Sequence, residues 1–220
     1  VIIAVIPCFN EQKTIGRIVK DSLRFVDRVI VVDNLSTDGT TFEAADNGAD
    51  VLTCSVKGAG AATRAGIQDA LKMGADIIVT LDGDGQHYPS DIPAVVKPIK
   101  DKHSDAVIGS RLLNNDIPLV RRIGIEAINF TYNVGHERIT DSQSGFRAFT
   151  WGVAKSALIT ELGFGFSTEF LIKARQRKFR ILEIPISCSY DGDCHSMNFM
   201  EHGLSVVFCT IKWRIKCLFA

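Results

Sequence analysis

Five short apolar runs punctuate the first 110 residues, and helical periodicity fills the gaps between them. The runs fall at residues 1–6, 28–32, 50–54, 76–81 and 105–108. Between them, residues 14–25, a short stretch after the polar 34–41 segment, 59–73 and 92–99 place apolar side chains three and four apart. Continuous apolar strands that alternate with helices predict a parallel sheet covered on both faces. The expected fold class is therefore α/β, with a Rossmann-like, mostly parallel central sheet flanked by helices. In such sheets ligands gather beyond the carboxyl ends of the strands. Polar residues occur at just those places: Pro7, Asn10 and Glu11 after the first run, Asp33 at the end of the second, and Lys57-Gly58 after the third. Asp82-Gly83-Asp84 follows the fourth, and Gly109-Ser110-Arg111 closes the fifth.

The second half is less regular. It predicts helices over 119–134 and 168–176, strands over 146–150 and 180–189, and a final helix over 199–218. No repeat or Pro/Gly/Ser-rich linker divides the chain, so one domain over residues 1–198 is expected, followed by a C-terminal amphipathic helix over 199–220. Charge balances at 25 basic against 25 acidic residues, which argues against a nucleic-acid partner. It is uneven along the chain, however: residues 1–170 carry 17 basic and 21 acidic side chains, the last fifty 8 and 4. The six cysteines form no C-x-x-C pair and match no zinc spacing. They are read as reduced thiols of a cytoplasmic protein, with Cys188–Cys194 the one bridge considered.

Asp82-Gly83-Asp84-Gly85-Gln86 has the strongest chemical character. Two carboxylates two residues apart in an extended turn project to one side, and the glycines let the backbone approach a ligand closely. Hard cations such as Mg²⁺ or Mn²⁺ take such oxygens and keep open positions for phosphates. An ordinary Asp/Gly turn is the alternative. Asn10 and Glu11 also suit the start of a helix, and Asp33 suits a cap on the 36–41 turn. The final helix carries Leu204, Val207, Phe208, Ile211, Ile215, Leu218 and Phe219 on one face, with Lys212 and Lys216 on another. That pattern fits either a membrane-interfacial helix or a helix packed on the sheet. His87, His103, His136 and His202 show no ligand spacing and are read as surface or packing residues.

Taken together, Val5-Ile6-Pro7…Asn10-Glu11, Val31-Val32-Asp33, Lys57-Gly58-Ala59-Gly60, Leu81 through His87, Gly109-Ser110-Arg111 and Asp141-Ser142-Gln143-Ser144-Gly145-Phe146-Arg147 resemble family 2 glycosyltransferases. Within that family they are most similar to the dolichyl-phosphate mannose synthase branch of polyprenyl-phosphate glycosyltransferases. The resemblance implies a GT-A fold and an inverting, metal-dependent transfer of a hexose, mannose from GDP-mannose, to a polyprenyl or dolichyl phosphate. It places Pro7, Asn10 and Glu11 at the nucleoside with Glu11 near the ribose, Asp33 at the base, and Lys57 and Gly58 on the pocket border. Asp82 would sit near ribose and metal, and Asp84 and Gln86 would ligate Mg²⁺ or Mn²⁺. Arg111 and Arg121, with Arg122 beside it, would face the acceptor phosphate. Asp141 would serve as general base if the acceptor were a sugar hydroxyl. A peripheral location at the cytosolic face of a membrane follows from such an acceptor.

The alternatives are a UDP-sugar-dependent transfer to a hydroxyl and a non-catalytic nucleotide-sugar-binding subunit. A dinucleotide oxidoreductase is disfavoured, because Pro7-Cys8-Phe9-Asn10 stands where G-x-G-x-x-G would be. The chain departs from the branch after the last strand. From residue 181 to residue 211 there is no Lys or Arg, and only His195 and Ser196 offer polar side chains of the expected kind.

Overall fold

The computed structural model describes residues 1–114, 119–133, 138–189 and 199–218, without the side chains of 114, 119–124, 127, 199–205 and 217–218. Seven strands form one sheet: β1 (Ile2–Cys8), β2 (Arg28–Asp33), β3 (Asp50–Thr53), β4 (Ile77–Thr80), β5 (Ala106–Ser110), β6 (Arg147–Thr150) and β7 (Ile181–Pro185). Their order is β3-β2-β1-β4-β6-β5-β7. Helices α1 (Gln12–Ser22), α2 (Thr40–Asp46), α3 (Ala59–Lys72) and α4 (Ile92–Lys100) supply the crossovers of the first half. Helices α5 (Leu119–Asn133), α6 (Trp151–Ser156), α7 (Phe166–Gln176) and α8 (Phe199–Leu218) belong to the second.

The five predicted runs are the five strands β1–β5, and β1, β2 and β4 are buried almost throughout. Burial on both faces explains why they read as continuous apolar segments rather than alternating ones. One core packs α1, α2 and α4 on one side through Ile15, Val19, Ala44, Ile92 and Val96. The other packs α3, α6 and α7 through Ala62, Ile67, Val153 and Leu171, and Trp213 of α8 joins it.

Two features go beyond the sequence expectation. β6 is inserted between β4 and β5 and runs antiparallel to both. A four-residue strand carries too little pattern to reveal its direction, which only its partners set. Helix α6 was not predicted; it is a single turn and a half, capped where the Thr150 side chain accepts the Val153 N–H at 3.3 Å. The insertion has a consequence for the site, because it brings Gly145 and Arg147 to the carboxyl end of β4.

Helix α8 docks on α5 and α7. Val206, Cys209, Thr210 and Trp213 form its buried face, whereas Phe208, Ile211 and Ile215 are exposed at 77%, 47% and 51%. Three members of the apolar stripe seen in the sequence, Phe208, Ile211 and Ile215, thus point outward, and a second, mixed face makes the contacts. Among the described residues no helix is long and apolar enough to cross a membrane.

Candidate active site

The loops after β1 and β2 are knitted together by their polar residues. Asn10 adopts a left-handed conformation (φ 58°). Its side-chain oxygen accepts the Thr37 N–H at 2.8 Å, and its own N–H donates to Ser36 Oγ at 2.9 Å. Buried Asp33 accepts the Ser36 N–H at 3.2 Å. Asn10 therefore does not cap α1; it tethers the two loops, while Glu11 occupies the cap position without capping a helix N–H, its carboxylate accepting the Thr14 hydroxyl at 3.4 Å instead. Asn34, which the sequence reading passed over, donates to the Cys54 and Val56 carbonyls at 3.1 and 2.8 Å and accepts the Gly58 N–H at 2.7 Å. It fixes the Lys57-Gly58 loop relative to β2. Its position directly after the strand-end aspartate was the only signal. Gly58 has φ +132°, and a Cβ there would lie 2.2 Å from the Leu162 carbonyl oxygen, so no other residue fits. Lys57 is exposed beside it.

Past β4, Asp84 accepts the Gln86 backbone N–H at 3.0 Å and its side-chain amide at 2.6 Å. Gly83 lies on the Cys8 thiol, and its carbonyl accepts Thr14 Oγ1 at 2.7 Å. Burial, and then the negative charge of Asp84, push the Glu11 carboxyl up to about 7. Burial and the charge of Asp82 raise Asp84, and burial raises Asp82 against the opposing pull of Arg111 and Arg147. Three carboxyl groups on adjoining loops are thus each shifted toward neutrality, the expected response of crowded, partly desolvated acids.

A divalent cation would reverse those shifts, and the hard oxygens of Asp82 and Asp84 suit Mg²⁺ or Mn²⁺. Gln86 would join them once its terminal amide turned oxygen inward, since it now points nitrogen at Asp84. Among the described residues no group of three or more His, Cys, Asp or Glu forms a metal cage. The site suits an ion whose remaining ligands come from water or phosphate. His87 is buried, with Nδ1 3.5 Å from Asp82 Oδ2 and its ring centroid 5.5 Å from that of Phe146. Burial and the nearby Arg111 charge push it down to about 4, so it is neutral. Of the two roles expected for it, surface or packing, the structure shows packing, directly beside the acidic loop.

The third component comes from β5 and the segment preceding β6. Arg111 grips the buried Asp141 with two side-chain bonds, Nε to Oδ2 at 2.7 Å and Nη2 to Oδ1 at 2.9 Å, and its backbone N–H adds a third at 3.1 Å. Burial acts to raise the Asp141 pKa, but the Arg111 charge and bonds prevail, and the group is held below its usual range. Arg147, buried and lowered to about 10 by that burial, donates to the carbonyls of Ser142, Ser144 and Ser167 at 2.8, 2.9 and 3.0 Å. It clamps the 142–144 turn against α7. Gly145 then passes beneath the Asp82 carboxylate, where a Cβ would come within 2.4 Å of Oδ1.

The structure therefore assembles Asn10, Glu11, Asp33, Gly58, Asp82, Gly83, Asp84 and Gln86 along one edge of the sheet, and Arg111 and Asp141 next to them. Arg121 falls within α5, but its side chain and that of Arg122 lie outside the described residues, as do Cys194, His195 and Ser196.

A parallel-dominated sheet with an acidic turn after β4 and an arginine–carboxylate pair after β5 is the arrangement expected of a GT-A glycosyltransferase. Residues 3–161 match the sequence profile of Glycosyl transferase family 2, and the chain belongs to that family. It is 34% identical over 212 residues to the UDP-N-acetylglucosamine–dolichyl-phosphate N-acetylglucosaminyltransferase of Methanococcus voltae, covering 84% of each chain. With the undecaprenyl-phosphate mannosyltransferase of Micrococcus luteus it shares 30% identity over 205 residues, 84% of this chain and 82% of the other. The fold is also that of glucosyl-3-phosphoglycerate synthase from Mycobacterium tuberculosis, crystallised with Mn²⁺, UDP-glucose and phosphoglyceric acid. That match has a TM-score of 0.77 at 19% identity and covers 96% of this chain and 79% of that one.

Proposed function

We propose that the protein transfers a hexose from a nucleotide-sugar to a polyprenyl phosphate, by a single inverting displacement at the anomeric carbon. The observation that carries this reading is the state of Asp141. A sugar hydroxyl acceptor needs a carboxylate free to take its proton. Asp141 is fully buried, held ionised, and has both oxygens engaged by Arg111, which suits it to holding an arginine rather than to moving a proton. A phosphate monoester with a second pKa near about 6 is already ionised at neutral pH and needs only a cation to place it. Arg111 is that cation, and Arg121 and Arg122 are the further candidates on α5.

On the donor side, Asp33 accepts a base N–H, Asn10 and Pro7 with Lys57 and Gly58 border the nucleoside, and Glu11 reaches the ribose. Asp82, Asp84 and Gln86 would hold Mg²⁺ or Mn²⁺, which when bound would supply neutralising charge for a diphosphate leaving group. Similarity to the mannosyltransferase supports mannose as the sugar, in keeping with the GDP-mannose favoured from sequence, and similarity to the N-acetylglucosaminyltransferase supports a UDP-sugar. A carboxylate at Asp33 accepts a ring N–H from guanine and uracil alike.

The acceptor path has structural support as well. Leu112 follows Arg111 and, with Phe130 and Ile139, forms the apolar part of a cavity of about 530 Å³ whose other walls are the polar Glu126, Asn129, Asn133, Arg138 and Thr140, so only that apolar part suits an isoprene unit. The outward stripe of Phe208, Ile211 and Ile215, with exposed Lys216 close by, suits docking at the cytosolic face of an anionic membrane.

The test is incubation with GDP-mannose or UDP-N-acetylglucosamine, Mn²⁺ and an isoprenyl monophosphate, with products read by mass spectrometry. A glycosyl-phosphoryl-isoprenoid is expected from one donor. Transfer to sugar hydroxyls alone, or donor binding without transfer to any acceptor, would overturn the proposal.

A further inference from the structure

Behind the Arg111–Asp141 pair lies another carboxylate. Glu183 sits on edge strand β7, level with Ile108 of β5 and thus three residues short of Arg111 along the neighbouring strand. Its oxygens accept the Thr140 N–H at 2.8 Å, the Asp141 N–H at 2.9 Å and Thr140 Oγ1 at 3.2 Å. Thr140 Oγ1 also lies 2.8 Å from Ser110 Oγ, which immediately precedes Arg111. Two successive backbone N–H groups converging on one carboxylate form a directional, charge-assisted grip. Here that grip holds the two residues that bring Asp141 to Arg111.

We propose that Glu183 is a positioning residue that acts through Asp141: it fixes the 140–141 backbone, Asp141 fixes the guanidinium of Arg111, and Arg111 presents its charge to the acceptor phosphate. The inference deepens the proposed acceptor site and rests on that reading for the identity of the acceptor, though not for the relay itself. One strand and two loops contribute to it, since β7 carries the carboxylate, the arginine directly follows β5, and the segment leading into β6 carries Asp141. The chemistry requires a carboxylate specifically. An amide at 183 would offer one oxygen and turn an NH₂ toward one of two backbone donors, leaving that donor unpaired. The 140–141 turn would then shift, and misplacement of about 1 Å at a positioned group costs on the order of a hundredfold in rate.

The experiment compares wild type, Glu183→Gln, Asp141→Asn and the double variant, with Glu183→Asp as a second probe should the glutamine variant fold poorly. Donor affinity is measured by titrating GDP-mannose and UDP-N-acetylglucosamine with Mn²⁺, and acceptor KM with a short-chain isoprenyl monophosphate. Glu183→Gln is expected to raise acceptor KM by about tenfold to a hundredfold with donor affinity unchanged, and to add little in the Asp141→Asn background, because coupled residues are not additive. A parallel loss of donor affinity, or independent multiplication of the two effects, would overturn the relay. The Arg111 Nε–H, which donates to Asp141 at 2.7 Å and is expected to exchange slowly in the wild type, is assigned by loss of its resonance in Arg111→Lys and gives a readout that needs no acceptor. If the wild type uses no isoprenyl phosphate, the acceptor reading falls by itself; loss of that resonance's protection in Glu183→Gln then still supports the relay, and unchanged protection overturns it.

Discussion

Replacing Gly145 by alanine separates site geometry from fold stability in an unusual way. The new methyl would sit 2.4 Å from Asp82 Oδ1 and 2.5 Å from Oδ2, against ordinary contacts of about 3.5 Å between heavy atoms. The carboxylate must therefore retreat by about 1 Å. Asp82 is nearly half exposed on the side of the cleft, so it has room to swing away, and Gly145 has no positive φ to forbid a side chain. The melting temperature of the metal-free protein should consequently change by only a few degrees, as about 1 kcal/mol is worth roughly 2–4 °C in a domain of this size. The donor site should suffer far more: a displacement of about 1 Å costs on the order of a hundredfold when a positioned group is involved. The assay is turnover with Mn²⁺ and nucleotide-sugar beside the thermal shift that donor and Mn²⁺ produce together. A variant with wild-type donor affinity and turnover would refute the placement of Asp82 in the site. A variant that simply unfolds would refute the claim that the clash is relieved by Asp82 alone.

Asp141→Asn strands a mostly buried guanidinium without its partner, and should cost about 3–5 kcal/mol, seen as a fall in melting temperature on the order of 10 °C; a smaller loss than about 1 kcal/mol would show that the pair is not held as described. Because Asp141 also holds Arg111, loss of turnover in this variant does not by itself distinguish a hydroxyl acceptor from a phosphate. Glu11, raised from its usual 4.5 to about 7, binds its proton more readily in the folded than in the unfolded chain. Its contribution to stability is fully present below about 4.5 and is lost as pH rises through about 7. Glu11→Gln should therefore gain melting temperature on the wild type between about pH 5 and pH 8 in metal-free buffer, and a constant difference across that range would count against the crowding of Glu11 and Asp84. Replacing Phe208, Ile211 and Ile215 together by serine should leave the melting temperature nearly unchanged and reduce flotation with anionic vesicles; undiminished flotation would remove α8 from the membrane contact. This triple change is cleaner than reversing Lys212 and Arg214, because Lys212 pairs with Glu161 at 2.7 Å and Arg214 donates to the Thr131 carbonyl at 2.8 Å.

Much of the donor side was legible in the chain itself. Strand periodicity locates β1, β2 and β4, and residues at the ends of buried strands emerge at one edge whatever the remaining topology, so Asn10, Asp33 and Asp82 could be placed together before any contact was known. Asn34 was missed because its role is to satisfy two carbonyls and an N–H of a loop twenty residues away, and such bonds leave no periodic trace. The outward stripe of α8 was visible as a stripe, but which face docks depends on what α5 and α7 present to it. β6 was visible as a short strand, but its place and direction were not.

Local pattern alone thus determined the α/β class, the edge on which the site lies and the acidic turn after β4, because hydrophobic period and strand-end position are properties of neighbouring residues. Tertiary structure alone decided that Asp141 holds Arg111 instead of standing free, that Gly145 seats Asp82, and that Glu183 stands behind the Arg111–Asp141 pair. Those relations join residues 30 to 63 positions apart across an inserted antiparallel strand, and distance in space between such residues is fixed only when the sheet order is.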